Sequence, residues 1–165
     1  MRFEGRVWFD FTNPEVWHFY RFVRALVEAG NSAAIEWLPL YTDREVAAMS
    51  AYVMPRRPED RGRYLHAMLG LVHMERLDAN DEATVAKALE SAGLGSEITV
   101  DVAQLQQISR DARELGVERT PTIYNHGPVM HITLNGAAIT GDVEATGRAL
   151  MSVLGNDGIW AIEKP

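Results

Sequence analysis

The segment that best indicates the architecture is Phe9-Asp10-Phe11-Thr12-Asn13-Pro14-Glu15-Val16-Trp17. Its apolar start is typical of a buried β-strand, and Asn13-Pro14 marks the point where that strand runs into an α-helix. Asn is a preferred N-cap residue, and Pro fits the first helical position because its missing N–H would have no helical partner there. The sequence therefore predicts a helix that begins at Pro14, with Asn13 as its N-cap.

A β-α-β unit is predicted around this junction. Val7–Phe11 is β-prone, and residues 14–29 carry apolar side chains at three- and four-residue spacing, as an amphipathic helix does. Gly30-Asn31 ends that helix, and a second strand follows at Ala33–Leu38. Two strands joined by a helix form a parallel pair with a right-handed crossover.

The middle of the chain, residues 42–116, shows helical patterns and no convincing strand. Thr42-Asp43-Arg44-Glu45 has the spacing of a capping box and predicts a helix start. The longest helical candidate runs from residue 58 to about 77. Asn80-Asp81 is typical of another helix cap, and a last helix is predicted at about 100–115.

Strand character returns after this helical block. Pro121–Asn125 and Val129–Leu134 are predicted to pair as a β-hairpin, with the turn at His126-Gly127-Pro128. A final helix is predicted from about Asp142 to Leu154. The whole chain is thus an α/β protein in which helices interrupt two groups of strands.

Composition excludes several classes of function. The chain has 165 residues and a net charge of −7, so we expect one domain over 1–165 and no broad binding to nucleic acid or anionic membrane. No apolar run is long enough to span a membrane. The N-terminus lacks the apolar core of a signal peptide, so the expected location is cytoplasmic. The sequence contains no cysteine, which removes disulfides, thiol catalysis and thiolate metal sites together.

Three segments in the right order resemble the DsbA-like thioredoxin-fold family, including its branch of 2-hydroxychromene-2-carboxylate isomerases and kappa-class glutathione transferases. They are Phe9–Pro14, Ala86–Leu94 and Ala112–Thr122, which are similar to the family's active-site junction, its "A…AGL" helix end and its "A…GV.G.PT" passage. The resemblance implies a thioredoxin-like fold (β-α-β, then a β-hairpin and a C-terminal helix) with an all-helical insertion. Its core would be 1–41 and 117–154, and its insertion 42–116.

The resemblance also implies where a site would lie. Asn13 and Val16 stand where the family has its two redox cysteines, and Pro121 stands where the family has a cis-proline. The expected ligand- or peptide-binding cleft is formed by Asn13, Glu15, Trp17, His18, Arg119, Thr120 and Pro121.

Two functions remain open at this point. The first is a redox-inactive, non-catalytic module that binds an unidentified protein or peptide and needs no cofactor. The second is an isomerase or transferase in which Asn13 replaces the family's serine and hydrogen-bonds glutathione or another low-molecular-weight thiol. The resemblance makes a homodimer plausible. No metal site is predicted, because the histidine pair His126 and His131 has no obvious carboxylate third ligand.

Overall fold

The computed structural model describes residues 1–54 and 57–154. Those residues contain four strands and seven helices. In chain order they are β1 (Arg2–Phe9), α1 (Pro14–Glu28), β2 (Ser32–Pro39), α2 (Val46–Val53), α3 (Pro58–His73), α4 (Glu82–Ser91), α5 (Val102–Glu114), β3 (Thr122–Tyr124), β4 (Met130–His131), α6 (Ala137–Thr140) and α7 (Val143–Leu154).

The four strands form one sheet in the order β2-β1-β3-β4. The backbone N–H of Ser32 donates to the carbonyl of Met1 at 3.2 Å, so β1 and β2 start at the same end of the sheet, as a parallel pair joined by a helix does. Strand β3 is antiparallel to both β1 and β4. The predicted β-α-β unit and the returning hairpin are therefore both present.

The chain divides into two compact units. Within the described residues, the first contains Met1–Phe9, Glu15–Leu38 and 112–154, and the second contains Asp10–Pro14, 39–54 and 57–111.

The first unit is built on an aromatic and aliphatic core between the sheet and the inner face of α1. Its buried members are Phe3, Val7, Phe19, Phe22, Val23, Leu26, Ile123, Ile132 and Leu154. Their spacing along α1 is the three- and four-residue spacing seen in the sequence, because every third or fourth side chain of a helix lies on one face.

The second unit is helical, and α2, α3 and α4 pack against one another within it. Tyr64 of α3 is fully buried there, and its hydroxyl donates to the carbonyl of Ala48 in α2 at 2.8 Å. The ring of Phe11 packs edge-on against Tyr64, with the ring centres 6.1 Å apart. The segment between β1 and α1 is thereby part of this helical unit.

Four local predictions differ from the structure. The first strand starts at Arg2 and ends at Phe9, β4 is limited to two residues, and α6 was not predicted. The capping-box prediction is wrong: Glu45 is itself the residue before α2, in the left-handed region with φ of 59°. Its side chain lies against the segment before α1 instead of reaching back to Thr42.

No helix within the described ranges is both long enough and apolar enough to cross a membrane.

Candidate binding site at the start of the first helix

The loop Asp10–Asn13 joins β1 to α1, at the position where the resemblance places redox cysteines. Asp10 uses one carboxylate oxygen, Oδ1, to accept the backbone N–H of Asn13 at 2.9 Å. This local hydrogen bond is an Asx-type turn, and it fixes the direction in which the chain enters the helix. Asn13 directly precedes α1, which begins at Pro14 as predicted.

Glu45, which lies in the second unit together with this loop, forms hydrogen bonds with two of the loop residues. Its carboxylate oxygen Oε1 accepts the backbone N–H of Phe11 at 2.7 Å, and Oε2 accepts the hydroxyl of Thr12 at 3.1 Å. Glu45 itself is only 4% exposed. A buried carboxylate is costly unless its oxygens are hydrogen-bonded, and here both are.

The backbone of Glu45 is fixed as well. Its N–H donates to the side-chain oxygen Oδ1 of Asn80 at 2.8 Å, and the backbone and side-chain N–H groups of Asn80 donate in turn to Asp78. This chain of hydrogen bonds explains how a non-glycine residue is kept in the left-handed region, which is otherwise unfavourable.

The surroundings of Glu45 raise its pKa from the ordinary value of 4.5 to about 7. Burial is the largest cause, because it disfavours the charged form, and the nearby carboxylate of Asp10 adds to it. The hydrogen bonds from Phe11 and Thr12 and the charge of Arg44 act in the opposite direction. Glu45 therefore changes its charge near neutral pH.

His73 of α3 forms a hydrogen bond with the other backbone polar group of Phe11, its carbonyl. Its ring nitrogen Nε2 lies 2.7 Å from the carbonyl oxygen of Phe11. Because a carbonyl oxygen can only accept, Nε2 must carry the hydrogen. Both backbone polar groups of Phe11 are thus bonded by side chains from distant parts of the sequence.

A second polar cluster lies in the first unit, at the first turn of α1. Nε2 of His131, on β4, is 3.2 Å from the carboxylate oxygen Oε2 of Glu15. The hydroxyl of Thr133 lies 3.4 Å from the same Glu15 oxygen and 3.4 Å from His131 Nε2. The other ring nitrogen of His131 is buried and has no hydrogen-bond partner.

The predicted proline is next to this cluster. The carbonyl of Pro121 accepts the backbone N–H of Ile132 at 2.9 Å, and Ile132 lies between His131 and Thr133. The Thr120–Pro121 peptide bond is cis. Of the predicted cleft residues, the first unit therefore brings Glu15 and Pro121 to one edge of the sheet.

The other predicted cleft residues have individual surroundings. The ring of Trp17 stacks on Tyr20 with ring centres 6.1 Å apart, and Arg21 lies over its face. His18 is half-buried. The backbone carbonyl of Arg119 accepts the hydroxyl of Thr122 at 2.6 Å, and Thr120 is buried. That these residues form one cleft with Asn13 stays a prediction.

Three functional candidates were not found from the sequence. Glu45 was interpreted as part of a capping box, His131 only as half of a histidine pair, and His73 only as one residue of the helix predicted from residue 58 to about 77. Each contacts a partner that is far away in the sequence. Glu45 and Phe11 are 34 residues apart, and His73 and Phe11 are 62 residues apart. In the described ranges no three His, Asp or Glu side chains come together as a group that could hold a metal ion.

Comparison with known proteins identifies the fold. No protein-family model matches the sequence, and no curated protein is detectably similar to it. The crystal structure of DsbL from Salmonella enterica serovar Typhimurium superimposes with a TM-score of 0.52 at 10% identity, covering 93% of this chain and 88% of that one. A crystal structure of reduced DsbL gives a TM-score of 0.51 at 12% identity, covering 94% of this chain and 91% of that one.

The chain thus has the DsbA-like thioredoxin fold, and the fold predicted from the sequence is confirmed. It has this fold without any cysteine. Identities this low establish the fold alone and leave the activity of the chain to be argued from its own residues.

Proposed function

We propose that this protein is a redox-inactive, non-catalytic binding module that takes an extended peptide or protein segment at the start of α1. Thiol–disulfide exchange requires a thiolate that attacks a disulfide sulfur. The sequence contains no cysteine to supply one.

The observation that carries the proposal is the polar cluster at the sheet edge of the first unit. Nε2 of His131, on the edge strand β4, lies 3.2 Å from the carboxylate of Glu15 in the first turn of α1. The other nitrogen of the His131 ring is buried and has no hydrogen-bond partner. Polar side chains beside an edge strand are the groups that recognise an added extended segment.

Glu15, His131 and Thr133 supply the polar groups for a peptide backbone. The Glu15 side chain is 39% exposed, so its carboxylate can accept a peptide N–H while it remains next to His131. The hydroxyl of Thr133 is exposed, and it can donate to a peptide carbonyl. An extended segment offers both kinds of group at regular spacing, which suits recognition at a sheet edge.

A random-peptide display selection tests this proposal, with calorimetry on synthetic versions of the selected peptides. We expect Glu15→Gln and His131→Gln each to weaken binding by about tenfold, which corresponds to the loss of one hydrogen bond or ion pair. Glu28→Gln is the matched control, because Glu28 is an exposed carboxylate at the other end of the same helix. The proposal is wrong if no peptide is selected, or if all three variants bind equally well.

The thiol-cofactor enzyme suggested by the sequence makes a different prediction. It would bind glutathione near Asn13, and Asn13→Ala would abolish that binding. A calorimetric titration with millimolar glutathione separates the two functions: heat of binding that depends on Asn13 would favour the enzyme over the peptide-binding module. The homodimer and the cytoplasmic location also stay predictions, which sedimentation velocity and cell fractionation can test.

A further inference from the structure

The hydrogen bond between Thr12 and Glu45 can run in either direction, and the proton on Glu45 decides which. An ionised carboxylate can only accept hydrogen bonds. The 3.1 Å contact between Thr12 Oγ1 and Glu45 Oε2 is then made by the Thr12 hydroxyl as donor. In this state the single O–H of Thr12 is committed to Glu45.

A proton on Glu45 has only one suitable position. Oε1 accepts the backbone N–H of Phe11 at 2.7 Å, so a proton there would face another donor. The proton therefore sits on Oε2, where its hydrogen-bonded neighbour is the hydroxyl oxygen of Thr12. Glu45 becomes the donor, Thr12 becomes the acceptor, and the O–H of Thr12 is released.

Thr12 is exposed, and it lies two residues before the start of α1. A released hydroxyl hydrogen at this position faces solvent and can be donated to an acceptor outside the loop. The backbone contact with Phe11 does not have to break, because Oε1 accepts it in both protonation states. The change is therefore local to one hydroxyl group.

The charged groups around Glu45 come from several elements. Asp10 in the loop before α1 opposes ionisation, and Arg44, next to Glu45 in the chain, favours it. His73 of α3 contacts Phe11 on its carbonyl, and Asp78 holds the Asn80 side chain that accepts the N–H of Glu45. Burial has the largest effect on the pKa of Glu45, and the carboxylate of Asp10 acts on it more strongly than Arg44 does.

We propose that Glu45 and Thr12 form a proton-controlled donor at the start of α1, in which protonation of Glu45 frees the Thr12 hydroxyl to donate to a carboxylate or carbonyl oxygen of a ligand. The raised pKa of Glu45, about 7, supports this, because both states are then populated near neutral pH. This switch, the reversal of the hydrogen bond between Thr12 and Glu45 on protonation, occurs in the unliganded protein. It therefore does not depend on whether the ligand is a peptide.

Nuclear magnetic resonance of the free protein between pH 5.5 and 8.5 tests the switch. We expect the side-chain carboxyl carbon of Glu45 and the backbone amide of Phe11 to titrate with the same midpoint, near 7. In Glu45→Gln the Phe11 titration should disappear, whereas in Glu90→Gln, an exposed carboxylate on α4, it should be unchanged. A Phe11 titration that persists in Glu45→Gln would overturn the proposal.

Three further variants keep the test decisive if Glu45→Gln does not fold. Asp10→Asn removes a negative charge while keeping the oxygen that caps Asn13, so the midpoint should fall. Thr12→Val removes the hydrogen bond in both protonation states, and because the bond to the ionised carboxylate is the stronger of the two, the midpoint should rise by about one pH unit. Thr12→Ser keeps the hydroxyl and should leave the midpoint in place. Midpoints that are the same in Thr12→Val and wild type would exclude the pairing.

Discussion

The carboxylate of Glu45 accepts the backbone N–H of Phe11 at 2.7 Å, across 34 residues of sequence. This contact lies within the helical unit, between the residue that precedes α2 and the loop that leads into α1. It combines a buried carboxyl group with a left-handed backbone at Glu45.

Glu45 should make the stability of the protein depend on pH. Because its pKa is about 7 in the folded protein and 4.5 ordinarily, the folded state binds the proton more tightly than the unfolded chain does. The stabilisation that Glu45 gives the folded state by binding this proton is fully present below pH 4.5. It is lost as the pH rises toward 7, and above that pH no more of it remains to be lost. The Glu45→Gln variant lacks this dependence. We therefore expect its free energy of unfolding, measured relative to that of wild type, to increase by about 2–3 kcal/mol as the pH rises from 5 to 8.

Urea denaturation at several pH values measures this difference. Glu90→Gln is the control, because its exposed carboxylate should leave the pH dependence of wild type unchanged. Parallel stability curves for wild type and Glu45→Gln across the whole pH range would show that Glu45 ionises normally in the folded protein.

His73 should stabilise the protein through the carbonyl of Phe11. His73→Leu removes the 2.7 Å hydrogen bond while keeping an apolar side chain at a half-buried position, and we expect a cost of about 1–2 kcal/mol. His66→Leu, on the exposed side of the same helix, should change stability by less than about 0.5 kcal/mol. Equal effects of the two substitutions in chemical denaturation would contradict a special role for His73.

The sequence predicted the elements of this fold better than it predicted the site. Helix α1 begins at Pro14 as expected, because the Asn-Pro junction and the apolar spacing are local signals. Strand β4 is shorter than its alternating pattern suggested. A strand ends where its neighbour ends, and β3 has only three residues. Pairing partners of this kind are not encoded in a single segment.

Glu45 shows why its own role was not predicted from the sequence. Its position four residues into a Thr-x-x-Glu pattern gave it a local interpretation, as a partner for Thr42. In the structure its carboxylate instead accepts hydrogen bonds from Phe11 and Thr12. Nothing near Glu45 in the sequence distinguishes the two outcomes, since the choice depends on which loop packs against it.

Tyr64 should contribute through its hydroxyl as well as its ring. Tyr64→Phe keeps the aromatic packing against Phe11 but removes the 2.8 Å hydrogen bond to the buried carbonyl of Ala48. We expect a loss of about 1–2 kcal/mol in the free energy of unfolding. Tyr124→Phe on β3 is the control, because Tyr124 is only half-buried. Equal stability of wild type and Tyr64→Phe would mean that water replaces the hydroxyl.

Two glycines allow the effect of backbone conformation on stability to be separated from the effect of a steric clash. An added Cβ would meet no atom within 4 Å at either Gly62 or Gly93, so neither substitution by alanine creates a clash. Gly62 lies inside α3, where alanine loses less conformational freedom on folding than glycine, and Gly62→Ala should stabilise by about 0.5–1 kcal/mol. Gly93 ends α4 with φ of 72°, a conformation that costs alanine about 1 kcal/mol or more, so Gly93→Ala should destabilise. Thermal unfolding of the two variants should therefore move in opposite directions from wild type, and a shift in the same direction would mean that the turn after α4 can rearrange to a negative φ.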